Sequence, residues 1–329
     1  MKELNIRYRT KEVRLLFGKG AFSGSLFSKG RRHLVLTDDN VYKYHGEKMR
    51  EIPGAVFKCV PAGEESKTVE NALALFELLL EEGFTKDDCL VAFGGGMVTD
   101  LGGFVASTFK RGMRFASVPT SLLAQVDTCL GGKTGVDFPS GGVIYKNQIG
   151  TVYHPELVIV DPLFLDTLPE EEIRSGLGEI LKYALCFDAE MFARLEKDFA
   201  EEDILTCLSL KAEITVRDEF EEDERVLLNY GHTIGHALES LSGFALRHGE
   251  AVALGLYHET RDPKIRERIK SFLDKHSFPD FPFKKEELIA FIKQDKKLRG
   301  RKLKLPVLRE VGRAEIVRTD IDAYLEGIL

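Results

Sequence analysis

The first half of the chain alternates short apolar runs with helical patterns of hydrophobic residues. Runs of strand length lie at residues 4–8, 12–17, 33–37, 56–60, 90–93 and 157–160. Between them, apolar residues at helical spacing predict helices at 68–82 and 98–109. Strands that alternate with helices along the chain favour a parallel, doubly wound sheet. We therefore predict an α/β N-terminal domain with a parallel, Rossmann-like sheet over residues 1–165.

From residue 166 to 329 the pattern is almost entirely helical, which predicts a mainly α-helical C-terminal domain. Helices are predicted at 170–186, 188–200, 202–218, 224–242, 248–260, 263–275 and 284–295. Weak strand patterns at 303–308 and 314–318 precede a last helix. Residues 137–155 (DFPSGGVIYKNQIGTVYHP) are rich in glycine, proline and polar residues and are predicted to form a loop.

The overall composition argues against several classes of protein. With 329 residues, 43% of them hydrophobic and 30% charged, the chain fits a globular protein of two domains. A net charge of −7 gives no support to a nucleic-acid partner. No apolar run approaches the roughly 20 residues of a membrane span, and the N-terminus lacks the apolar region of a secretory signal. Five cysteines without C-x-x-C spacing indicate thiols in a reducing cytoplasm, and neither a disulfide frame nor a cysteine zinc site.

Three consecutive glycines, Gly94, Gly95 and Gly96, follow a predicted buried strand and precede a predicted helix. In this arrangement backbone N–H groups at the helix N-terminus can approach a phosphate, because glycine has no side chain to block it. Tight packing is the alternative, and the ordinary dinucleotide fingerprint G-x-G-x-x-G is absent. Polar residues stand close together in the apolar stretch that follows, namely Arg111, Thr120, Ser121, Asp127 and Lys133.

Polar residues also follow two other predicted strands. Asp38 and Asn40 come just past the apolar run at 33–37, where open α/β sheets hold ligands. A plain turn or a helix N-cap explains them as well. Glu64 and Lys67 precede the helix predicted at 68–82, and exposed charges at a helix entry are the alternative there.

His232 and His236 lie four residues apart on a predicted helix and therefore on one face. Histidines at this spacing can share a metal, but they also occur often on exposed faces. His248 opens the next predicted helix, and antiparallel helices joined by a short turn would bring it beside the first pair. Glu179, on a largely apolar predicted helix, can serve as a further ligand or pair with a basic neighbour such as Lys182.

Basic residues around such a metal would suit an anionic substrate with phosphate and carboxylate groups. Lys182 lies one helical turn from Glu179, and Arg225 lies two turns from His232 on what is predicted to be the same helix face. Ordinary surface charges are the alternative. The candidates are Lys133, Lys182, Lys211, Arg225, Lys296 and Lys297.

Three long motifs resemble those of the 3-dehydroquinate synthase family. They read GGG-x-x-x-D-x-GG-F from Gly94, R-G-x-x-F-x-x-V-P-T from Arg111 and Q-V-D-x-x-x-GGKTGV from Gln125. The resemblance implies that NAD is bound, with its pyrophosphate against Gly95, Gly96 and Met97. The other cofactor contacts that it implies are Asp38, Asn40, Glu64, Lys67, Asp100, Thr120, Ser121, Lys146 and Thr167.

The resemblance also implies a metal site and a substrate pocket. The family's ligands for one divalent metal, zinc or cobalt, correspond to Glu179, His232 and His248. The cations that hold the substrate correspond to Arg111, Lys133, Lys182, Lys211, Arg225 and one or both of Lys296 and Lys297. Further polar contacts correspond to Asp127, Asn147, Asn229 and His236, which makes His236 a neighbour of the metal and not a ligand.

The implied activity converts 3-deoxy-D-arabino-heptulosonate 7-phosphate, a phosphorylated sugar acid, to 3-dehydroquinate and phosphate in the shikimate pathway of aromatic amino acid biosynthesis. NAD would accept a hydride and return it, phosphate would be eliminated, and an aldol closure would form the ring. A related sugar-phosphate cyclase, a metal-dependent polyol dehydrogenase and a non-catalytic NAD-binding protein are the alternatives. Whether the protein is a homodimer stays open.

The chain departs from the family pattern at a few positions. Ser121 stands where many members have Thr, and Asp137 stands where many have Asn. Extra residues appear around 141–145, and the segment at 258–279 looks shorter than usual. Because the shortened segment reads as peripheral helix, we expect activity to survive these differences.

Overall fold

A computed structural model of the protein describes residues 1–141, 143–243, 245–294 and 302–328. The chain divides into two compact units, Met1–Leu168 and Pro169–Leu329. The first is an α/β unit and the second is mainly helical. The predicted fold class is thereby confirmed.

The first unit is built on a mixed but mostly parallel sheet. The unit's strands are β1 (Lys2–Arg7), β2 (Glu12–Phe17), β3 (His33–Asp38), β4 (Ala55–Val60), β5 (Cys89–Gly94), β6 (Arg114–Pro119), β7 (Lys133–Ser140), β8 (Val143–Val152) and β9 (Leu157–Val160). The unit's helices are α1 (Asp39–Met49), α2 (Val69–Glu81) and α3 (Gly96–Thr108). Seven strands form the sheet in the order β1-β2-β9-β6-β5-β3-β4, and only the edge pair of β1 and β2 is antiparallel.

Both faces of this sheet are covered, which explains why its central strands read as continuous apolar runs. Side chains alternate along a strand, so Leu34 and Leu36 of β3 join one hydrophobic cluster while Val35 joins another. Leu101 of α3 lies in the first cluster, and Met49 of α1 lies in the second. The two layers hold the carboxyl ends of β3, β5 and β6 side by side.

The loop predicted at 137–155 is wrong, because most of this stretch forms an antiparallel hairpin of β7 and β8. Gly141 adopts a left-handed backbone, with φ of +59°, between the two strands. Glycines between two strand-like runs are a hairpin signal, and here they outweigh the breaking effect of proline and glycine inside the strands. The pairing of β7 with β8 shifts register between Val136 and Phe138, as it does at a β-bulge.

The second unit consists of packed helices and one small two-stranded sheet. Its elements are α4 (Glu170–Phe187), α5 (Ala189–Leu195), α6 (Glu201–Arg217), α7 (His232–Leu241), α8 (His248–Glu259), α9 (Pro263–Lys275), α10 (Lys285–Gln294), β10 (Leu303–Glu310), β11 (Arg313–Thr319) and α11 (Ile321–Glu326). The antiparallel β10 and β11 confirm the two weak strand patterns near the C-terminus. None of the helices in the described part of the chain is long and apolar enough to cross a membrane.

The continuous helix predicted at 224–242 is wrong. Residues Glu224–Asn229 form a 3-10 helix, and α7 begins only at His232. Gly231 separates the two with a left-handed backbone, φ +81°, which a helix cannot continue through. Arg225 and His232 therefore do not lie on one helix face. The helix predicted at 188–200 is also shorter, because α5 ends at Leu195.

Candidate active site

The glycine turn of the first unit lies at the end of β5, where α3 begins. Gly95 is the N-cap of α3 and has no side chain that could cap the helix. The first N–H groups of α3 therefore point out of its N-terminus without a capping side chain. A methyl group on Gly94 would lie 2.7 Å from Val98, so packing explains that glycine. Methyl groups on Gly95 and Gly96 would meet nothing closer than 3.4 Å and 3.6 Å. Local packing therefore does not require these two glycines, whereas a phosphate approaching the backbone does.

Strands β3 and β6, which lie on either side of β5, place polar residues at the same edge of the sheet. Asp38 ends β3, and its carboxylate accepts a hydrogen bond of 2.9 Å from the Val41 N–H, so it is an N-cap of α1. Burial raises the pKa of the Asp38 carboxyl above its ordinary value, against the effect of these backbone N–H donors. Thr120 follows β6 and is buried, and its N–H donates to Gly94 O at 3.0 Å. Asn40 lies exposed in the first turn of α1.

Lys67 is a buried lysine at the centre of a charge cluster in the first unit. Only 3% of the residue is exposed, so the alternative of an exposed helix-entry charge is wrong for it. Its ammonium pairs with Glu64 and lies 3.7 Å from Asp100 Oδ2 and 3.9 Å from Asp137 Oδ1. Burial opposes the charge, but the three carboxylates prevail and raise the Lys67 pKa.

Sequence reasoning noticed Asp137 only as a departure from the family pattern, yet it links two candidate residues. Its Oδ1 accepts from the Asn147 N–H at 2.9 Å, and its own N–H donates to Lys67 O at 2.7 Å. Asn147 has a left-handed backbone, with φ of +54°, as does Arg111 with φ of +64°. Such conformations cost free energy and are held by their surroundings, often at functional sites. The structure thus brings Lys67 and Asn147 together through Asp137.

The remaining candidates of the first unit lie at separate places. Ser121 Oγ accepts from the Ala124 N–H at 3.3 Å, beside Gly95. Asp127 belongs to a π-helical turn, Ala124–Thr128, a feature frequent at functional sites. Lys133, Lys146, Met97 and Thr167 occupy the start of β7, the middle of β8, the first turn of α3 and the end of a 3-10 helix.

In the second unit, the carboxylate–histidine cluster consists of Glu179 from α4, His232 from the start of α7 and His248 from the start of α8. The Glu179 Oε1 atom lies 3.5 Å from His232 Nε2 and 3.2 Å from His248 Nε2. Ligands about 2.0–2.1 Å from a tetrahedral zinc are roughly 3.3 Å apart. Two imidazole nitrogens and one carboxylate oxygen at these separations fit zinc or cobalt. His236 is also near, since ligand atoms of His232, His236 and His248 lie within 4.8 Å of one another, but His236 is exposed.

Glycines let the three helices approach closely enough to form this cluster. A Cβ on Gly249 of α8 would lie 1.8 Å from Ser175 O of α4. A Cβ on Gly178 of α4 would lie 1.9 Å from Gly249 O, and one on Gly255 of α8 would lie 1.9 Å from Gly231 O. Side chains there are excluded by backbone contact. The residues beside these glycines, Glu179 and His248, are therefore held face to face.

Second contacts of the histidine rings orient their Nε2 atoms toward Glu179. The Nδ1 of His232 lies 3.2 Å from Tyr230 O, and a carbonyl can only accept, so Nδ1 carries the proton. The Nδ1 of His248 lies 3.2 Å from Glu239 Oε2 in the same way. Burial disfavours the protonated form of both rings, and it lowers the pKa of His232. At His248 the carboxylates of Glu179 and Glu239 outweigh burial and raise the pKa to about 10. A divalent cation would replace the proton that Glu179 and His248 share.

Sequence reasoning missed Glu239, although a signal existed. Glu239 lies seven residues after His232, two helical turns along α7 and on the same face. Carboxylates that hold the second nitrogen of a ligating histidine are usual around metals. The spacing of His232, His236 and Glu239 is therefore the pattern that would have revealed it.

Three of the predicted cations of the second unit lie in the described residues, on α4 or on elements that pack against it. Lys182 is 2% exposed, and its Nζ lies 2.5 Å from Glu179 Oε2, which leaves Oε1 to the histidines. Lys211 lies buried on α6, and both α6 and the 3-10 helix Glu224–Asn229 pack against α4. Within that 3-10 helix the buried Arg225 donates to Glu219 O at 2.6 Å, and Asn229 donates to Glu221 Oε1 at 2.6 Å. Lys296 and Lys297 fall outside the described residues.

The fold by itself is shared with solved proteins of one class. A 2-deoxy-scyllo-inosose synthase solved with carbaglucose-6-phosphate, NAD+ and Co2+ superposes with a TM-score of 0.86 at 23% identity, covering 99% of both chains. A 2-epi-5-epi-valiolone synthase from Streptomyces hygroscopicus, solved with NAD+ and Zn2+, has a TM-score of 0.83 at 24% identity over 99% of this chain and 96% of that one. The protein thus has the fold of the sugar-phosphate cyclases.

Sequence similarity then selects one family within that fold. The model of the 3-dehydroquinate synthase N-terminal region matches residues 57–175, and that of the C-terminal region matches residues 176–298. A 3-dehydroquinate synthase of Clostridium acetobutylicum is 36% identical, over 95% of both chains. The chain belongs to the 3-dehydroquinate synthase family.

Proposed function

We propose that the protein converts 3-deoxy-D-arabino-heptulosonate 7-phosphate to 3-dehydroquinate and phosphate, as a carbon–oxygen lyase of the shikimate pathway. One observation supports this most strongly. In a chain of this family, the buried Glu179 carboxylate lies 3.5 Å and 3.2 Å from the Nε2 atoms of His232 and His248. This is the donor set that a catalytic divalent metal requires.

Glu179, His232 and His248 would hold one zinc or cobalt ion, and the residues at the carboxyl edge of the sheet would hold NAD. When bound, NAD accepts and returns a hydride, and the metal polarises the substrate hydroxyl as a Lewis acid. The N–H groups at Gly95, Gly96 and Met97 bind the pyrophosphate. The other cofactor contacts are Asp38, Asn40, Glu64, Lys67, Asp100, Thr120, Ser121, Lys146 and Thr167.

The substrate is an anion at both ends, and the chain supplies cations for each. Arg225 binds the carboxylate, since its planar guanidinium can form two parallel hydrogen bonds with it. The phosphate and the hydroxyls are held by Arg111, Asp127, Lys133, Asn147, Lys182, Lys211, Asn229, His236, Lys296 and Lys297. By orienting a flexible sugar acid, these groups bring the reacting carbons together for ring closure.

A phosphate-release assay tests the reaction. The purified protein, with zinc or cobalt and NAD far below substrate, should release one phosphate for each heptulosonate phosphate and accumulate no NADH. Stoichiometric NADH would instead indicate a polyol dehydrogenase. Release from glucose 6-phosphate or sedoheptulose 7-phosphate in preference to the heptulosonate would indicate one of the related cyclases, because neither sugar has the carboxylate.

The cellular setting of the protein is also part of the proposal. All five cysteines lie in the described residues and are thiols, four of them buried, which suits a reducing cytoplasm. Fractionation of the source cells tests this location. A homodimer is the proposed oligomeric state, and light scattering of the purified protein, which reports its mass, tests it.

A further inference from the structure

The start of α7, which carries His232, is capped by a carboxylate from another helix. Gly231 precedes the helix and has no side chain to cap it. Glu259, the last residue of α8, takes this role: its Oε2 accepts from the Gly231 N–H at 3.1 Å and its Oε1 accepts from the Ile234 N–H at 2.9 Å. The residue is only 2% exposed. A buried carboxylate thus spans the residues on either side of His232.

A second layer holds Glu259 in place and reaches the C-terminal part of the chain. The hydroxyl of Tyr324, on α11, donates to Glu259 Oε2 at 2.7 Å and also lies 3.3 Å from Pro306 O of β10. Tyr324 is 1% exposed. The next residue along from Glu259, Thr260, shares a hydrogen bond of 2.9 Å with the Tyr230 hydroxyl. The segment from Tyr230 to Ile234 is therefore fixed at both ends.

The fixed segment determines where the His232 ring points. The main chain of His232 lies between the two N–H groups that Glu259 binds, and its Nδ1 faces Tyr230 O. A shift of this segment would move both the His232 ring and the Tyr230 carbonyl group, which selects the tautomer of that ring. Second contacts of this kind typically change metal affinity by about 10- to 100-fold.

We propose that Glu259 is a positioning residue for the metal ligand His232, and that Tyr324 connects it to the C-terminal elements β10 and α11. The inference rests on the proposed metal site. Helix α8 begins at the ligand His248 and ends at Glu259. The same helix therefore supplies one ligand and the carboxylate that positions the other ligand, His232. Without the hydrogen bonds to the Glu259 carboxylate, the Nε2 atoms of His232 and His248 should lie farther apart.

The test measures zinc binding by the metal-free protein in competition with a chromophoric chelator, which requires no activity. We expect Glu259→Ala to weaken zinc binding about 10-fold or more. Glu259→Gln, which keeps one acceptor oxygen, and Tyr324→Phe, which keeps the carboxylate, should give smaller losses. The visible absorption of the cobalt-loaded variants should shift, since it reports the geometry of the ligands.

The matched control is Asp203→Asn. Asp203 is a fully buried carboxylate that caps α6 by accepting from the Ala200 N–H at 3.0 Å and pairs with Arg194. Its loss should lower stability but leave zinc affinity and the cobalt spectrum unchanged. If Asp203→Asn weakened zinc binding as much as the Glu259 variants, the role of Glu259 would be general stability and the proposal would fail.

Two further outcomes separate this inference from the proposed function. Wild-type zinc binding that His232→Ala abolishes, but that Glu259→Ala and Tyr324→Phe leave unchanged, would overturn the inference alone. Absence of zinc binding by the wild type would overturn both. Should Glu259→Ala fail to fold, Glu259→Gln decides, because it keeps the size of the side chain but leaves one acceptor oxygen for the Gly231 and Ile234 N–H groups that the carboxylate now holds.

Discussion

The glycine turn of the first unit comes from one contiguous stretch, Gly94–Met97, whereas the carboxylate–histidine cluster draws its residues from α4, α7 and α8. The turn needs only a strand, open backbone and the first N–H groups of a helix. The cluster needs three helices to cross at contacts between glycines and carbonyl groups. A local site of this kind tolerates changes elsewhere, while an assembled site depends on residues far along the chain.

The largest effect should follow from Gly249→Val, which attacks the assembled site through packing alone. A Cβ at Gly249 would lie 1.8 Å from the Ser175 carbonyl oxygen, so α4 and α8 must separate. We expect the free energy of unfolding to fall by about 3 kcal/mol or more, and zinc binding to be lost, as measured by denaturant titration and by chelator competition. Gly30→Ala is the control, since its nearest contact would be 3.9 Å away. Normal zinc affinity in Gly249→Val would show that the crossing is not required.

His232→Ala should remove metal and activity while leaving the chain folded. The His232 side chain is 13% exposed, and its ring lies against Tyr230 O, Glu179 and the rings of His236 and His248. We expect the free energy of unfolding in chelator to change by about 1–2 kcal/mol, with zinc content near zero by elemental analysis. Full activity of the wild type after exhaustive chelation would contradict the metal's role.

The local site explains why much of the first unit could be predicted from sequence. Strands β3, β5 and β9 are apolar runs whose residues are mostly buried, and the turn's glycines are contiguous. The hairpin of β7 and β8 was not predicted, because glycine and proline are typical of loops as well as of hairpin turns. The cluster is different: no sequence spacing connects Glu179 with His232, and the resemblance alone paired them. Glu259 carries no sequence signal, since its partners at Gly231 and Ile234 lie on another helix.

Gly96→Ala tests the local site with a single methyl group. The new Cβ would meet Thr128 no closer than 3.6 Å, so the fold has room for it. We expect stability to be unchanged or slightly higher, because alanine favours helices. NAD affinity, measured by calorimetry, should fall about 10- to 100-fold, the equivalent of one or two hydrogen bonds to a charged group. Gly94→Ala should do the reverse and lower stability, since its Cβ would lie 2.7 Å from Val98. Unchanged NAD affinity in Gly96→Ala would show that no phosphate approaches the backbone at this residue.

Arg225→Lys examines a residue that neither the turn nor the cluster contains. Arg225 is 3% exposed, and one nitrogen of its guanidinium donates to Glu219 O at 2.6 Å. Lysine keeps the charge but loses the planar fork, so we expect kcat/KM for the heptulosonate phosphate to fall about tenfold, the equivalent of one charged hydrogen bond. Zinc and NAD affinity should stay at wild-type values in the same preparation. An unchanged kcat/KM would argue against carboxylate recognition by Arg225.

A dependence on pH also separates the two sites, because the glycine turn contains no titratable group, whereas α7 is capped by the Glu259 carboxylate. Burial raises the pKa of the Glu259 carboxyl to about 7, although N–H donors at Ile234, Gly231 and the Tyr324 hydroxyl oppose the rise. The folded protein therefore holds this proton more tightly than the unfolded chain, whose ordinary value is 4.5. Stability from this group is fully present below about pH 4.5 and is lost as the pH rises through 7, with a slope of at most about 1.4 kcal/mol per pH unit. Glu259→Gln removes the titration, so its free energy of unfolding, measured by urea titration in chelator between those limits, should fall less steeply with pH than that of the wild type. Parallel curves for the two proteins would mean that Glu259 ionises equally easily in the folded and unfolded states.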